Sequence, residues 1–203
     1  LNCLLLLLTL CGGIDQQMYE GIHSGWNSPT MDVVMSMVTQ AGEDYTALGS
    51  GVALYVVGGP ELKRAAALTT CSYLGATAVL IGVRAIVNRP RPEDANPGWL
   101  YSAFPSGHAT SYFAVATVYA LKFPRLAPFL GVGGALVALS RVYLGRHWPS
   151  DVLAGAALGT GVGLLTVRYE KPISRVLHLE ESRVGVLQPS AGTGGLSIVT
   201  FSF

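Results

Sequence analysis

Five apolar segments follow Tyr45, roughly Thr46–Gly59, Ala65–Val83, Ala109–Leu121, Leu126–Val142 and Val152–Val167, and short polar stretches separate them. Segments like these bury themselves against one another or in lipid, and only helices satisfy their backbone groups without a neighbouring strand. The chain is therefore predicted to be an all-α, multi-helix transmembrane bundle of about five to six spans. Composition agrees: 50% of residues are hydrophobic and only 12% are charged, against about 25% charged in ordinary soluble domains. A span needs about 20 residues to cross ~30 Å of hydrocarbon. Several segments reach that length only if their polar flanks belong to the same helices, so an exported soluble helical bundle is the alternative. Gly155, Gly159 and Gly163 repeat at GxxxG spacing, which lets two helices approach closely. Packing within one chain is the preferred reading, ahead of dimerisation.

Residues 1–171 read as one helical domain and 172–203 as a polar tail. Within the tail, Pro189 to Gly195 has linker composition, and Leu196, Ile198, Phe201 and Phe203 suggest a short extended end. Leu1–Leu10 reads as a truncated or short first span, with a signal segment as the alternative. A lipoprotein signal ending at Cys11 lacks the small residue expected at Leu10. Ser28-Pro29 looks like a helix start, and Met31, Val34, Met35 and Val38 follow at helical spacing. The three cysteines, Cys3, Cys11 and Cys71, have neither metal-type spacing nor an even count, so no disulfide framework is expected. A net charge of +1 gives no basic field for nucleic acid.

Three polar clusters interrupt the apolar pattern. The first is Arg84-Ala-Ile-Val-Asn-Arg-Pro-Arg91-Pro92, whose guanidinium forks match phosphate oxygens. The bland reading is the basic flank of a membrane helix. The second is Phe104-Pro-Ser-Gly-His108. Ser106 offers a hydroxyl, Gly107 a backbone N–H that can approach an anion, and His108 a proton. By itself it is also an ordinary helix start. The third is Ser140-Arg141-Val-Tyr-Leu-Gly-Arg-His147-Trp-Pro-Ser-Asp151. An arginine near the end of an apolar helix is costly unless it is paired or lines a polar cavity. The chain is expected to turn at Trp148-Pro149, with Ser150 capping the next helix. Asp151 would accept the Nδ1–H of His147 and leave Nε2 free to attack. Two histidines, one aspartate and three arginines in this order describe phosphoryl transfer through a histidine nucleophile. If every apolar segment spans, the loops holding these clusters meet at one face. Lys63, Arg64, Lys122, Arg125, Arg168 and Lys171 then lie at the opposite, cytoplasmic face.

Arg84-x6-Arg91-Pro92, Pro105-Ser-Gly-His108 and Ser140-Arg141-x5-His147-x3-Asp151 together resemble the three signature motifs of the type 2 phosphatidic acid phosphatase superfamily. That superfamily includes lipid phosphatases, bacterial acid phosphatases and vanadium haloperoxidases. The first motif usually begins with Lys, and Arg84 departs from it. The resemblance implies that His147 attacks phosphorus, Asp151 orients it, and His108 protonates the leaving oxygen. It further implies that Arg84, Arg91, Ser106, Gly107 and Arg141 hold the phosphate oxygens, without a metal or other cofactor. Arg89, Tyr143, Arg146 and Trp148 read as lip or packing residues.

The expected function is an integral-membrane, multi-pass phosphatase with its site at the outer face. Phosphatidic acid, phosphatidylglycerol phosphate and undecaprenyl pyrophosphate are candidate substrates, and the lipid bilayer is the partner. The alternative is an exported soluble acid phosphatase acting on small phosphomonoesters. A vanadate-dependent haloperoxidase would share the anion site, but the chain is short for that branch. A non-enzymatic scaffold would have no use for the histidine–aspartate set.

Overall fold

The computed structural model describes residues 12–26, 28–93, 98–177, 183–189 and 196–202; the expected span or signal over Leu1–Leu10 lies outside them. Among the described residues eight α-helices run in order: α1 (Gly12–His23), α2 (Pro29–Thr39), α3 (Asp44–Val57), α4 (Pro60–Ile86), α5 (Gly107–Lys122), α6 (Ala127–Tyr143), α7 (Pro149–Arg168) and α8 (Glu170–Val176). All five apolar segments are helical. The tail adds an antiparallel hairpin of β1 (Arg183–Pro189) and β2 (Leu196–Ser202), with Arg183 opposite Ser202 and Pro189 opposite Leu196. The extended end thus finds a partner strand within the tail.

Helix α5 is the centre of the bundle, packed against α3, α4, α6 and α7. Its Ala109, Ala114 and Val118 are wholly buried. Small residues bring α7 against it. A Cβ built on Gly159 would lie 2.3 Å from the Thr110 carbonyl oxygen, and one on Gly155 2.5 Å from that of Ser106. Only hydrogen fits there, so the GxxxG stripe serves packing inside the chain. On the other side the Ser72 hydroxyl donates to the Ala114 carbonyl at 2.8 Å and ties α4 to α5.

Three stretches are long and apolar enough to cross a membrane: Pro60–Ile86, Pro124–Tyr143 and Pro149–Arg168. Their outward faces carry large exposed side chains, among them Leu74, Val79, Phe129, Val132, Leu153 and Leu165. Water does not tolerate so broad an apolar belt, whereas lipid does. Helices α3, with 14 residues, and α5, with 16, fall short of the usual span length. By this criterion three candidate spans lie among the described residues, short of the five to six expected for the chain.

At the amino-terminal side, Ser28 caps α2 by accepting the Met31 N–H at 3.2 Å, as Ser-Pro predicts. Helix α2 packs on α6, with Met35 of the predicted stripe buried. Helix α1 packs on α6 and α7.

Candidate active site

The site forms where α4 and α6 end and α5 and α7 begin. Helix α4 delivers Arg84 in its last turn. Pro90 and Pro92 then hold the chain extended past Arg89 and Arg91. The chain returns through Trp99–Tyr101, and α5 starts at Gly107. Helix α6 closes on Gly145 at φ +69°, a left-handed position that glycine adopts without strain. The Gly145 N–H reaches the Val142 carbonyl at 3.1 Å, and the Arg146 N–H the Arg141 carbonyl at 3.0 Å. That reversal carries His147 back over the helix end. Helix α7 then begins at Pro149 behind Trp148.

A cavity of about 290 Å³ is lined by Arg84, Arg91, Gly107, His108, Arg141 and His147 together with Glu43, Asp44, Thr77, Leu80 and Tyr101. Six of the eight predicted site residues thus meet around one space. Ser106 and Asp151 are wholly buried behind it. The Ser106 N–H donates to the Asp151 carbonyl at 2.9 Å, which joins the second cluster to the third.

The arginines are held by their backs. Arg84 donates Nη1 to the Leu100 carbonyl at 3.0 Å and Nη2 to the Pro105 carbonyl at 3.2 Å. Arg91 Nε donates to the Tyr101 carbonyl at 3.0 Å. Arg141 Nη1 donates to the Thr39 hydroxyl at 2.7 Å. The buried Arg84 Nε, Arg141 Nε and Ser106 Oγ have no hydrogen-bond partner among the described residues. Buried polar atoms without partners are costly. An oxyanion bound among them would supply acceptors, so these donors suit a phosphate.

His147 is 1% exposed. Its Nδ1 lies 2.8 Å from the Ala103 carbonyl oxygen. A carbonyl can only accept, so Nδ1 carries the proton and Nε2 keeps its lone pair. Burial, helped by the nearby Arg141 and Arg91, holds the His147 pKa well below the ordinary 6.5. That shift favours the neutral ring, with its lone pair at Nε2.

The Asp151 carboxylate sits differently from the sequence expectation. Its Oδ2 is 3.9 Å from His147 Nδ1 and takes the Trp148 N–H at 2.8 Å instead. Asp151 is the third residue of α7 and reaches back to the first free N–H, as an acidic residue there commonly does. Its Oδ1 takes Arg89 at 2.6 Å. Nor does Ser150 cap α7, since its N–H and hydroxyl both go to Asp15 of α1.

Several participants were not singled out from the sequence. Glu43 meets His108 Nε2 at 2.9 Å, and Asp44 accepts the Ser111 hydroxyl at 3.0 Å. Glu43 immediately precedes α3 and Asp44 opens it, far in sequence from any motif. Arg89, read as a lip or packing residue, instead bridges Asp151 and Asp15. Tyr143, read the same way, donates to Asp32 at 2.7 Å. Among the described residues, no group of three His, Cys, Asp or Glu side chains is placed to hold a metal ion.

Known proteins resemble this chain in sequence and fold. The PAP2 superfamily profile matches residues 66–175, just over half of the chain. A lipid A 1-phosphatase of Porphyromonas gingivalis is 42% identical over 81 residues, covering 38% of this chain and 17% of that protein. An undecaprenyl-diphosphatase of Sulfolobus acidocaldarius is 41% identical over 90 residues, covering 43% of this chain and 40% of that protein. The chain thus spans less than half the length of either relative. Among solved structures, a transmembrane PAP2-type phosphatidylglycerolphosphate phosphatase from Bacillus subtilis superposes with a TM-score of 0.63 at 23% identity, covering 85% of this chain and 96% of that one. With the three motifs gathered around one cavity, the profile match over residues 66–175 places this chain in the PAP2 superfamily.

Proposed function

We propose that this protein is a phosphatase that hydrolyses a lipid or prenyl phosphate or pyrophosphate at the membrane–water face, through a phosphohistidine. The observation that carries this reading is the His147 ring. Its Nδ1–H is fixed on the Ala103 carbonyl, and the ring faces a cavity that also holds Arg84, Arg91 and Arg141. In the first step Nε2 attacks phosphorus while the bond from phosphorus to the leaving oxygen breaks. His108 gives that oxygen its proton. In the second step water attacks phosphorus, the P–N bond breaks, and inorganic phosphate leaves. His108 takes the proton from that water, which returns both histidines to their starting state. The three guanidinium groups and the Ser106 and Gly107 donors compensate the charge on the phosphoryl oxygens in both steps.

The apolar flanks of α4, α6 and α7 support a substrate delivered from the bilayer. The names of the relatives point the same way, since they act on lipid A and undecaprenyl diphosphate. We place the site at the outer face because the opposite end of the bundle gathers Arg64 and Lys122. The deciding experiment is phosphate release by the purified protein from phosphatidic acid, phosphatidylglycerol phosphate, undecaprenyl pyrophosphate and p-nitrophenyl phosphate. Turnover of the lipid or prenyl substrates is expected to exceed that of the soluble ester. The reverse order would support a soluble-substrate acid phosphatase. Quenching in alkaline detergent during turnover of a substrate ³²P-labelled in the transferred phosphate should trap an alkali-stable, acid-labile phosphoprotein that His147→Ala lacks.

A further inference from the structure

Helix α1 lies outside the stretch that matches the superfamily profile, yet it reaches the turn behind the site, where α7 begins. Its Asp15 is 4% exposed. One carboxylate oxygen, Oδ2, accepts Arg89 Nη2 at 2.8 Å and the Ser150 hydroxyl, and the other, Oδ1, accepts the Ser150 N–H at 2.9 Å. Arg89 Nη1 also donates to Ser150 Oγ at 2.7 Å and to Asp151 Oδ1 at 2.6 Å. The guanidinium lies 5.6 Å from the Trp148 ring centre. Asp15 therefore holds the first turn of α7 directly, and through Arg89 it also reaches Asp151.

The charges are as informative as the distances. Asp151 and Arg89 alone would neutralise each other. With Asp15, two carboxylates share one guanidinium; burial, with Asp15 adding to it, raises the Asp151 pKa to about 6, and above that pH the cluster keeps one net negative charge. Its nearest point, Asp151 Oδ2, is 3.9 Å from His147 Nδ1. When Nε2 bonds to phosphorus, the imidazole ring becomes cationic, and a buried negative charge at this range favours that state. We propose that Asp15 is a positioning residue for the nucleophile: by occupying Arg89 it leaves the Asp151 charge available to the His147 ring, and it anchors the turn that carries both. This rests on His147 being the nucleophile.

The charged groups that face the His147 ring are Asp151, Arg84, Arg91 and Arg141, with His108, Glu43 and Asp44 lining the same cavity. Asp15 acts from behind Asp151 and reaches none of the phosphate-binding groups among its hydrogen bonds.

The test uses the full chain in detergent, with phosphatidic acid micelles as substrate. Asp15→Asn keeps the shape and the acceptor for the Ser150 N–H but removes the charge. It is expected to lower kcat about tenfold while KM stays within about twofold. Removing a negative charge favours the neutral ring, so the acid limb of kcat/KM should move to lower pH. Ser150→Ala removes hydrogen bonds but no charge, and its acid limb is expected to stay at the wild-type pH. Asp15→Glu keeps the charge and should retain the wild-type acid limb, which gives a reading even where the Asn variant does not fold. A folded Asp15→Asn protein with wild-type kcat and acid limb would overturn the proposal. So would a displaced limb in Asp15→Glu, or a kcat loss in Asp15→Asn that tracks a lower Tm with the limb unmoved. His147→Ala, assayed in parallel, separates the two ideas. Its retained turnover would sink the nucleophile itself, whereas an inactive His147→Ala beside an unaltered Asp15→Asn counts against Asp15 alone.

Discussion

A buried histidine must stay neutral, and at His147 that requirement has a measurable cost. The ordinary pKa of about 6.5 applies in the unfolded chain, and the folded value lies well below it. Between the two, the unfolded state binds a proton that the native state refuses. Stability is therefore fully present above about pH 6.5 and falls as pH drops through that window. His147→Gln, which cannot titrate, should show a shallower loss of Tm from pH 7 to pH 5 than the wild type, read by thermal unfolding in detergent. Equal slopes would place the proton uptake elsewhere. Arg84 gives a second residue-level test. Lysine supplies the same charge, so phosphate binding should survive Arg84→Lys with turnover within about tenfold. A single ammonium, however, replaces the fork that joins the Leu100 and Pro105 carbonyls. Losing one such bond costs about 1 kcal/mol of stability. A loss of turnover far beyond tenfold would show that the fork itself holds the phosphate.

At the scale of elements, the contact of α5 with α7 sets the site, because α5 begins with Gly107 and His108 while α7 begins just after His147 and holds Asp151. Two glycines on α7 separate packing from propensity. Gly159→Ala would place a Cβ 2.3 Å from the Thr110 carbonyl oxygen and 2.8 Å from the Ala114 nitrogen. The helices must part, at a cost of about 1–3 kcal/mol, and turnover should fall with stability. Gly161→Ala meets nothing within 4 Å and is expected to be neutral or to stabilise by about 0.5–1 kcal/mol. Tm and phosphate release measured on the pair check both. The same interface shows what a sequence can disclose. GxxxG spacing and apolar runs expose helices and close packing because both depend on local periodicity. The motif residues are legible because each cluster is contiguous. The pairings are not: Asp15 with Arg89, Glu43 with His108 and the Ala103 carbonyl with His147 join positions 44 to 74 residues apart. No periodicity marks them. Asp151 shows the same limit: the sequence suggests a bond to His147 across the turn at Trp148-Pro149, but that turn leaves a nearer N–H, that of Trp148, for it to take.

At the scale of the whole molecule, charge and apolar surface define two ends and a belt. One end holds Arg84, Arg91 and Arg141 around the cavity. The other brings together Glu61, Arg64, Lys122 and Glu170, with Lys122 hydrogen-bonded to Glu170. Between them lie the outward faces of α4, α6 and α7. If lipid covers that belt, alkaline washing of membranes should leave the protein in the pellet, and detergent should release it. The same geometry orients the chain. Tyr101 lines the cavity and is 64% exposed, whereas Leu126, 46% exposed, precedes α6 at the opposite end. In a variant with Cys71 replaced by Ala, single cysteines at these two positions report the sides separately, provided Cys3 and Cys11 are also removed. A membrane-impermeant maleimide applied to intact cells should label Tyr101→Cys and spare Leu126→Cys, with the difference lost on permeabilisation. Labelling of Leu126→Cys alone would turn the site toward the cytoplasm. The substrate phosphate would then have to be presented from the inner leaflet.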